Sequence, residues 1–423
     1  MTPYRKTCLD NGLRILTQEM PHTYSVSAAL LCGAGSRHES GDLAGISHIV
    51  EHMLFKGTPR RPTAKEVAEA IEEVGGMMNA GTEKEITSYW AKVTSAHRVL
   101  ALDLLGDITR RSKFEAGELA KERKVIVEEI HMSDDVPSEQ VHLLMDQLLW
   151  PGHALGRDIA GTAETVSIIQ LPEVLSYYHR CYVPNNFVVA VAGAVRHDDV
   201  IEECKRLFGD WPPGNPMTFA PAPVFARHPQ VDIKYKETEQ AHVCVGAEGL
   251  PRTHPDRRAQ DVQNLILGGG MSSRLFLEIR EKRALAYDVH SFVEHLSDTG
   301  ATVVYAGTDP DQVVGCVEAI LEELDRLRND LVPEAELRKA KEYFKGRMLL
   351  GMEDSSSITS WLGAQELLNC HIQSIEDVMR EIDAVQAEDV RRVARRCLHP
   401  DLLRMAVVGP FKDESPLRAL VER

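Results

Sequence analysis

Residues 48–52 read His48-Ile49-Val50-Glu51-His52. Two histidines four apart on a helix lie on one face, one turn above the other, so both imidazoles can reach a single zinc ion. Glu51 follows His48 by three residues. It points to the same side and can reach a water activated at the metal. The order His-x-x-Glu-His inverts the His-Glu-x-x-His zinc motif. The competing reading is a helix with two surface histidines and a surface glutamate. The flanking residues weigh against it: Ile46, Ile49, Val50, Met53, Leu54 and Phe55 give the segment between Leu43 and Lys56 a broad apolar face. Polar groups on such a helix are part-buried, where an unpaired one is costly. Gly57 and Pro59 end the helix.

A hydrolytic zinc site needs a third protein ligand and an open fourth position. The run Glu122-Arg123-Lys124-Val125-Ile126-Val127-Glu128-Glu129-Ile130 offers one. Glu122 and Glu129 are two helical turns apart and share a face. With the first motif, this run resembles the insulinase, pitrilysin and mitochondrial processing peptidase family, the inverzincin zinc metallopeptidases. In that family 76 residues separate the second histidine from a ligand glutamate, which closes a Glu-x6-Glu pattern. Residues 53–128 make 76 here. The resemblance therefore implies Glu129, not Glu128, as third ligand beside His48 and His52. It makes Glu122 a carboxylate that orients a ligand or the water. A solvated helix charge is the alternative for Glu122.

Two further segments carry the resemblance. Phe276-Leu277-Glu278-Ile279-Arg280-Glu281-Lys282-Arg283-Ala284-Leu285-Ala286-Tyr287 is similar to the family's Arg/Tyr pair. It implies that Arg280 and Tyr287 bind substrate and donate to the carbonyl and to the oxyanion forming from it. Taken alone, Arg280 reads as a surface charge and Tyr287 as a core edge residue. Gly75-Gly76-Met77-Met78-Asn79-Ala80-Gly81-Thr82, followed by Glu85, Thr87 and Tyr89, resembles the family's substrate hairpin. There Asn79 and Ala80 would lie on an edge strand that pairs with an extended peptide; an ordinary hairpin is the alternative. The resemblance runs nearly end to end, with no departure at a motif position.

The length of 423 residues suggests two domains, and 43% apolar residues suffice for sizeable cores. No apolar run reaches the length of a membrane span. The polar start, Met1–Lys6, shows no leader pattern. The eight cysteines are scattered without Cys-x-x-Cys, which reads as reduced thiols in a cytoplasmic protein. A net charge of −16 argues against nucleic-acid binding. It is compatible with basic peptides, though a solvated acidic surface explains it as well.

The chain contains a diverged repeat. Arg180-Cys181-x-x-Pro184 precedes the apolar run Phe187–Ala192 and Gly193, and Arg396-Cys397-x-x-Pro400 precedes Leu402–Val408 and Gly409. The same offset of 216 carries Gln170 onto Gln386 and Val174 onto Val390. Half-chain repetition means two similar domains. We expect a catalytic zinc-binding domain over 1–210, a Pro/Gly-rich linker over 211–228 and a homologous domain over 229–423 carrying Arg280 and Tyr287. Each half mixes short strands with long helices: α+β, with a mainly antiparallel sheet packed with helices. The second half has no His-x-x-Glu-His and offers lysines and arginine near Glu336–Met348 where a carboxylate would be needed. This implies one zinc per chain. Gly33–His38 and Gly268–Ser273 both lack the last glycine of a dinucleotide fingerprint, which argues against a nucleotide role. By resemblance Gly268–Arg274 is a mobile loop near the cavity; a plain turn is the alternative. His131 reads as structural.

The resemblance implies a zinc-dependent endopeptidase with Glu51 as general base. It also implies a homodimer. Relatives of double length carry the zinc motif in their first domain and the Arg/Tyr pair in their fourth, and two copies of this chain reproduce that order. Active sites would then be shared between chains, and an enclosed cavity would admit short or unfolded peptides. The alternatives are a catalytically silent relative acting as a structural or peptide-binding subunit, and a non-peptidase zinc hydrolase.

Overall fold

The computed structural model describes residues 4–421. The outermost ends of the two expected domains, 1–3 and 422–423, and the start of the polar run Met1–Lys6 lie outside the described residues. The chain forms two compact α+β units, each built on one sheet.

The first sheet contains β1 (Arg5–Cys8), β2 (Arg14–Glu19), β3 (Ser25–Cys32), β4 (Met77–Thr82), β5 (Thr87–Thr94) and β6 (Phe187–Gly193), in the order β1-β2-β6-β3-β5-β4. The second contains β7 (Gln230–Tyr235), β8 (Ala241–Glu248), β9 (Ala286–His295), β10 (Gly300–Thr308) and β11 (Arg404–Gly409), in the order β7-β11-β8-β10-β9. Both are mixed sheets. Pairing is antiparallel except for one parallel neighbour each, β2 with β6 and β11 with β7. The parallel partners are far apart in sequence, as crossover connections require.

The repeat is visible in local chemistry. Gln170 and Gln386 each begin a helix, Leu171–Cys181 and Ala387–Cys397, and each backbone amide donates to a carboxylate three residues on. Those bonds are Gln170 to Glu173, 2.7 Å, and Gln386 to Asp389, 2.8 Å. Val174 and Val390 are both fully buried below them. Each helix leads through a short turn opened by Pro184 or Pro400 into a buried strand, β6 or β11.

Five α-helices lie between Ile46 and Leu149: α1 (Ile46–Leu54), α2 (Ala64–Glu72), α3 (Arg98–Arg111), α4 (Ala116–Asp135) and α5 (Pro137–Leu149). Each compact unit takes one helix from the other half of the sequence. Helix α5 packs on β8 and β11 and belongs to the second unit, which holds His131–Arg157, Pro221–Met348 and Gln373 onward. Helix Ser355–Asn369 packs on β3 and β6 and belongs to the first, with the chain up to Ile130 and Asp158–Ala220. The second of these is fixed by polar contacts as well as packing. Ser355 Oγ lies 2.8 Å from Ser27 Oγ, and the buried Glu366 pairs with Lys6 at 2.7 Å and Arg14 at 3.6 Å.

Among the described residues, no helix is long and apolar enough to cross a membrane. All eight cysteines are free thiols, and only Cys8 and Cys370 are exposed.

Candidate functional site

Helix α1 is held from three sides. Ile46, Ile49, Val50, Met53 and Leu54 are fully buried beneath it. Such side chains contribute about 1.5–3 kcal/mol each. At its start, Gly45 has φ +93°, and a Cβ there would lie 2.4 Å from the Ala160 carbonyl oxygen, so glycine is required. The Glu39 carboxylate accepts from the Gly45 and Ser47 amides, both at 2.8 Å, where the helix dipole favours negative charge. At its end, Ser112 Oγ donates to the Met53 carbonyl at 2.8 Å. The apolar face goes down into the core, and His48, Glu51 and His52 remain part-buried on the other.

His48 Nε2 and His52 Nε2 face each other at 3.1 Å. The Glu129 carboxylate on α4 brings Oε2 to 3.9 Å from the first and 3.7 Å from the second. Among the described residues these three form the one group of histidine, cysteine and acidic ligand atoms converging within 4.8 Å. Two imidazole nitrogens this close need a proton or a cation between them. With a carboxylate oxygen beside them, the donor set fits zinc. Glu128, next in sequence, is exposed and takes no part.

Glu122 lies one face-repeat before Glu129 and is buried. Its Oε2 stands 3.0 Å from His52 Nδ1. A carboxylate can only accept, so Nδ1 carries the proton and the Nε2 lone pair is left for a metal. The other oxygen, Oε1, is 2.7 Å from Lys56 Nζ. Sequence reasoning missed Lys56. It lies just past the end of α1, where helix spacing no longer places it, and only its salt bridge to Glu122 reveals a role. His48 has no equivalent support: its Nδ1 is buried without a hydrogen-bond partner. Burial first, then the neighbouring His52, pushes His48 down to about 4.

Burial pushes the Glu51 carboxyl up, and a hydrogen bond from Thr82 and the nearby His52 work against that rise. Thr82 Oγ1 donates to Glu51 Oε2 at 2.5 Å. Thr82 ends β4, the outermost strand of its sheet, on which Asn79 and Ala80 also lie. Asn79 Oδ1 accepts from the Ala80 amide at 2.8 Å. Between α1, α2 and β4 opens a cavity of about 550 Å³. Glu51 and His52 line it together with the largely apolar wall of Phe55, Val67, Ile71 and Met77.

In the second unit, Phe276–Lys282 forms a π-helical segment, a distortion often found at functional sites. The Arg280 guanidinium carbon sits 4.9 Å from the ring centroids of both Phe276 and Tyr287. The stacking keeps the arginine and tyrosine side by side, with the Tyr287 side chain largely in solvent at 76% exposure. Ala284, between them, takes φ +50° to turn the chain into β9. The loop Gly268–Arg274 is anchored at its end by Arg274, which pairs twice with Glu336 at 2.9 and 2.8 Å.

Comparison with known proteins agrees with this layout. Residues 14–163 match the family described as Insulinase (Peptidase family M16), and residues 169–344 match Peptidase M16 inactive domain. YmxG of Bacillus subtilis, described as an uncharacterized zinc protease, is 38% identical over 406 residues, covering 96% of this chain and 98% of its own. An uncharacterized zinc protease of Streptomyces coelicolor is 38% identical over 426 residues, 98% of this chain and 91% of that one. The fold matches the crystal structure of a protease from Helicobacter pylori with TM-score 0.92 at 23% identity, over 97% of this chain and 100% of that chain. This chain belongs to peptidase family M16, the insulinase family, and is a zinc-dependent peptidase.

Proposed function

We propose that His48, His52 and Glu129 hold the zinc and that Glu51 is the proton acceptor of peptide hydrolysis. The observation that carries this is the convergence of three ligand atoms within 4.8 Å beside a part-buried carboxylate on the same helix face. Zinc bound there supplies Lewis acidity, polarising a carbonyl and activating water. The rest falls to side chains. Glu51 takes the proton from the attacking water and later delivers it to the leaving amine. Glu122, held by Lys56, keeps the His52 ring in the tautomer that presents Nε2. Asn79 and Ala80, on an outer strand, pair with an extended peptide backbone, and the cavity beside Glu51 accepts an apolar side chain. Arg280 and Tyr287 donate to the carbonyl oxygen as charge develops on it.

Further, the enzyme works as a homodimer with Arg280 and Tyr287 acting on the partner's zinc site, encloses its substrates and so cleaves short or unfolded peptides. Its place is the cytoplasm, in keeping with eight free thiols. The silent-subunit alternative leaves the intact set of His48, Glu51, His52 and Glu129 without a reason. A peptide-library digest, with and without a chelator and read by mass spectrometry, tests the reading. Chelator-sensitive cleavage supports it. No cleavage by zinc-loaded enzyme, or cleavage indifferent to chelation, overturns it.

A further inference from the structure

Glu51 and Thr82 are 31 residues apart, yet the hydroxyl of Thr82 meets the carboxylate at 2.5 Å, the short range of a charge-assisted O–H···O bond. The end of the β4–β5 hairpin is held both from within and from outside. Within the hairpin, Thr82 pairs with Thr87, and the Glu83 amide donates to the Ile86 carbonyl at 2.7 Å. Outside it, the loop Gly35–Arg37 forms a brace. The Ser36 amide donates to the Glu83 carbonyl at 3.2 Å and the Arg37 amide to the Lys84 carbonyl at 2.8 Å. A Cβ on Gly35 would stand 2.1 Å from the Glu83 carbonyl oxygen, so only glycine permits the approach. The Arg37 side chain, fully buried, pairs with the equally buried Glu85 at 2.7 Å. Its guanidinium carbon lies 3.9 Å from the Phe219 ring centroid, and Nη2 donates to the Ala220 carbonyl at 3.2 Å. The Gly33–His38 cluster thus clamps the strand end that carries Thr82.

We propose that Thr82 is a positioning residue for Glu51. Its hydroxyl engages Oε2 and fixes the plane of the carboxylate, leaving Oε1 to take the proton of the attacking water. The strand proposed to seat the peptide therefore also aims the base. Without the hydroxyl, the carboxylate rotates about its last side-chain bond and spends less time aligned, while the backbone that pairs with peptide is unchanged. The loss falls on kcat and spares KM. The inference rests on Glu51 being the proton acceptor.

The test compares Thr82→Val, which keeps shape and loses the donor, with Thr82→Ser, which keeps the donor. Thr82→Val is expected to lower kcat about ten- to a hundredfold, the scale of a small misplacement of a reacting group. KM should move by less than about twofold, zinc content should stay at one equivalent, and Thr82→Ser should restore kcat to within a few fold. Thr82→Ala carries the same test should the valine variant fail to fold. Wild-type kcat in a folded, zinc-loaded Thr82→Val or Thr82→Ala overturns the inference. So does an equal loss in Thr82→Ser, or a loss that falls on KM. Glu51→Gln, assayed alongside, separates the two claims. If Glu51→Gln is inactive while Thr82→Val is fully active, only the positioning role fails. If Glu51→Gln is active at full zinc, the base assignment itself fails.

Discussion

Nδ1 of His52 lies 3.0 Å from Oε2 of Glu122, a residue 70 positions further along the chain. The bond fixes the Nδ1 side of one histidine of the pair, whereas Nδ1 of the other, His48, is buried without a hydrogen-bond partner. Groups that orient a metal ligand in this way typically govern affinity by ten- to a hundredfold. Glu122→Ala is therefore expected to weaken zinc binding by about that factor, measured by competition with a chromophoric chelator. Lys56→Met, which removes the cation holding Glu122 at 2.7 Å, is expected to act in the same direction and more weakly. Unchanged affinity in Glu122→Ala would show that the bond does not bear on the metal.

The second unit contains a histidine cluster that sets a pH dependence of stability. His142, on α5, stacks on Tyr305 with ring centroids 5.3 Å apart, and its Nδ1 is 3.7 Å from Cys244 Sγ. Burial first, then His290 and His242, hold its pKa below the usual histidine value. His242, 2.8 Å from the Tyr305 hydroxyl, is lowered by burial too. Asp288, paired with His290 at 3.3 Å, is a nearby carboxylate. Both lowered histidines bind protons more readily in the unfolded chain. Their contribution to stability is complete above the unfolded value of about 6.5 and is lost as pH falls below it toward the lowered folded-state values. The melting temperature should drop between pH 7 and pH 5, and His142→Phe should flatten that slope. An equally steep slope in the variant would place the sensitivity elsewhere.

Much of the first site was legible because its spacing is local. His48, Glu51 and His52 share a face by helix periodicity alone, and Glu122 and Glu129 by two turns of another helix. The strands around them were legible from apolar runs bounded by glycine and proline, as at Phe187–Gly193. What depends on tertiary register was not. Lys56 and Thr82 gain meaning only when α4 and β4 arrive beside α1. The amphipathic pattern of α5 announces a helix with a face to bury, but it does not say that the sheet it covers belongs to the other half of the sequence. The parallel pairs β2–β6 and β7–β11 are hidden for the same reason: strand patterns carry no direction of pairing.

The shared-site dimer is open to complementation. Glu51→Gln and Arg280→Ala, each inactive alone, are mixed under conditions that allow subunit exchange. A mixed dimer has one intact zinc half-site facing one intact Arg280, so activity should reappear, at most to about half of a wild-type dimer's. Verified exchange with no recovered activity would mean that Arg280 acts within its own chain or not at all.

The central claim is tested most directly by measuring bound zinc and peptide turnover together in Glu51→Gln. The amide keeps the shape of the carboxylate and cannot take the proton. About one equivalent of zinc should survive dialysis, as in the unaltered protein, while turnover falls on the order of a hundredfold or more. Near-normal turnover at full zinc content would contradict the account.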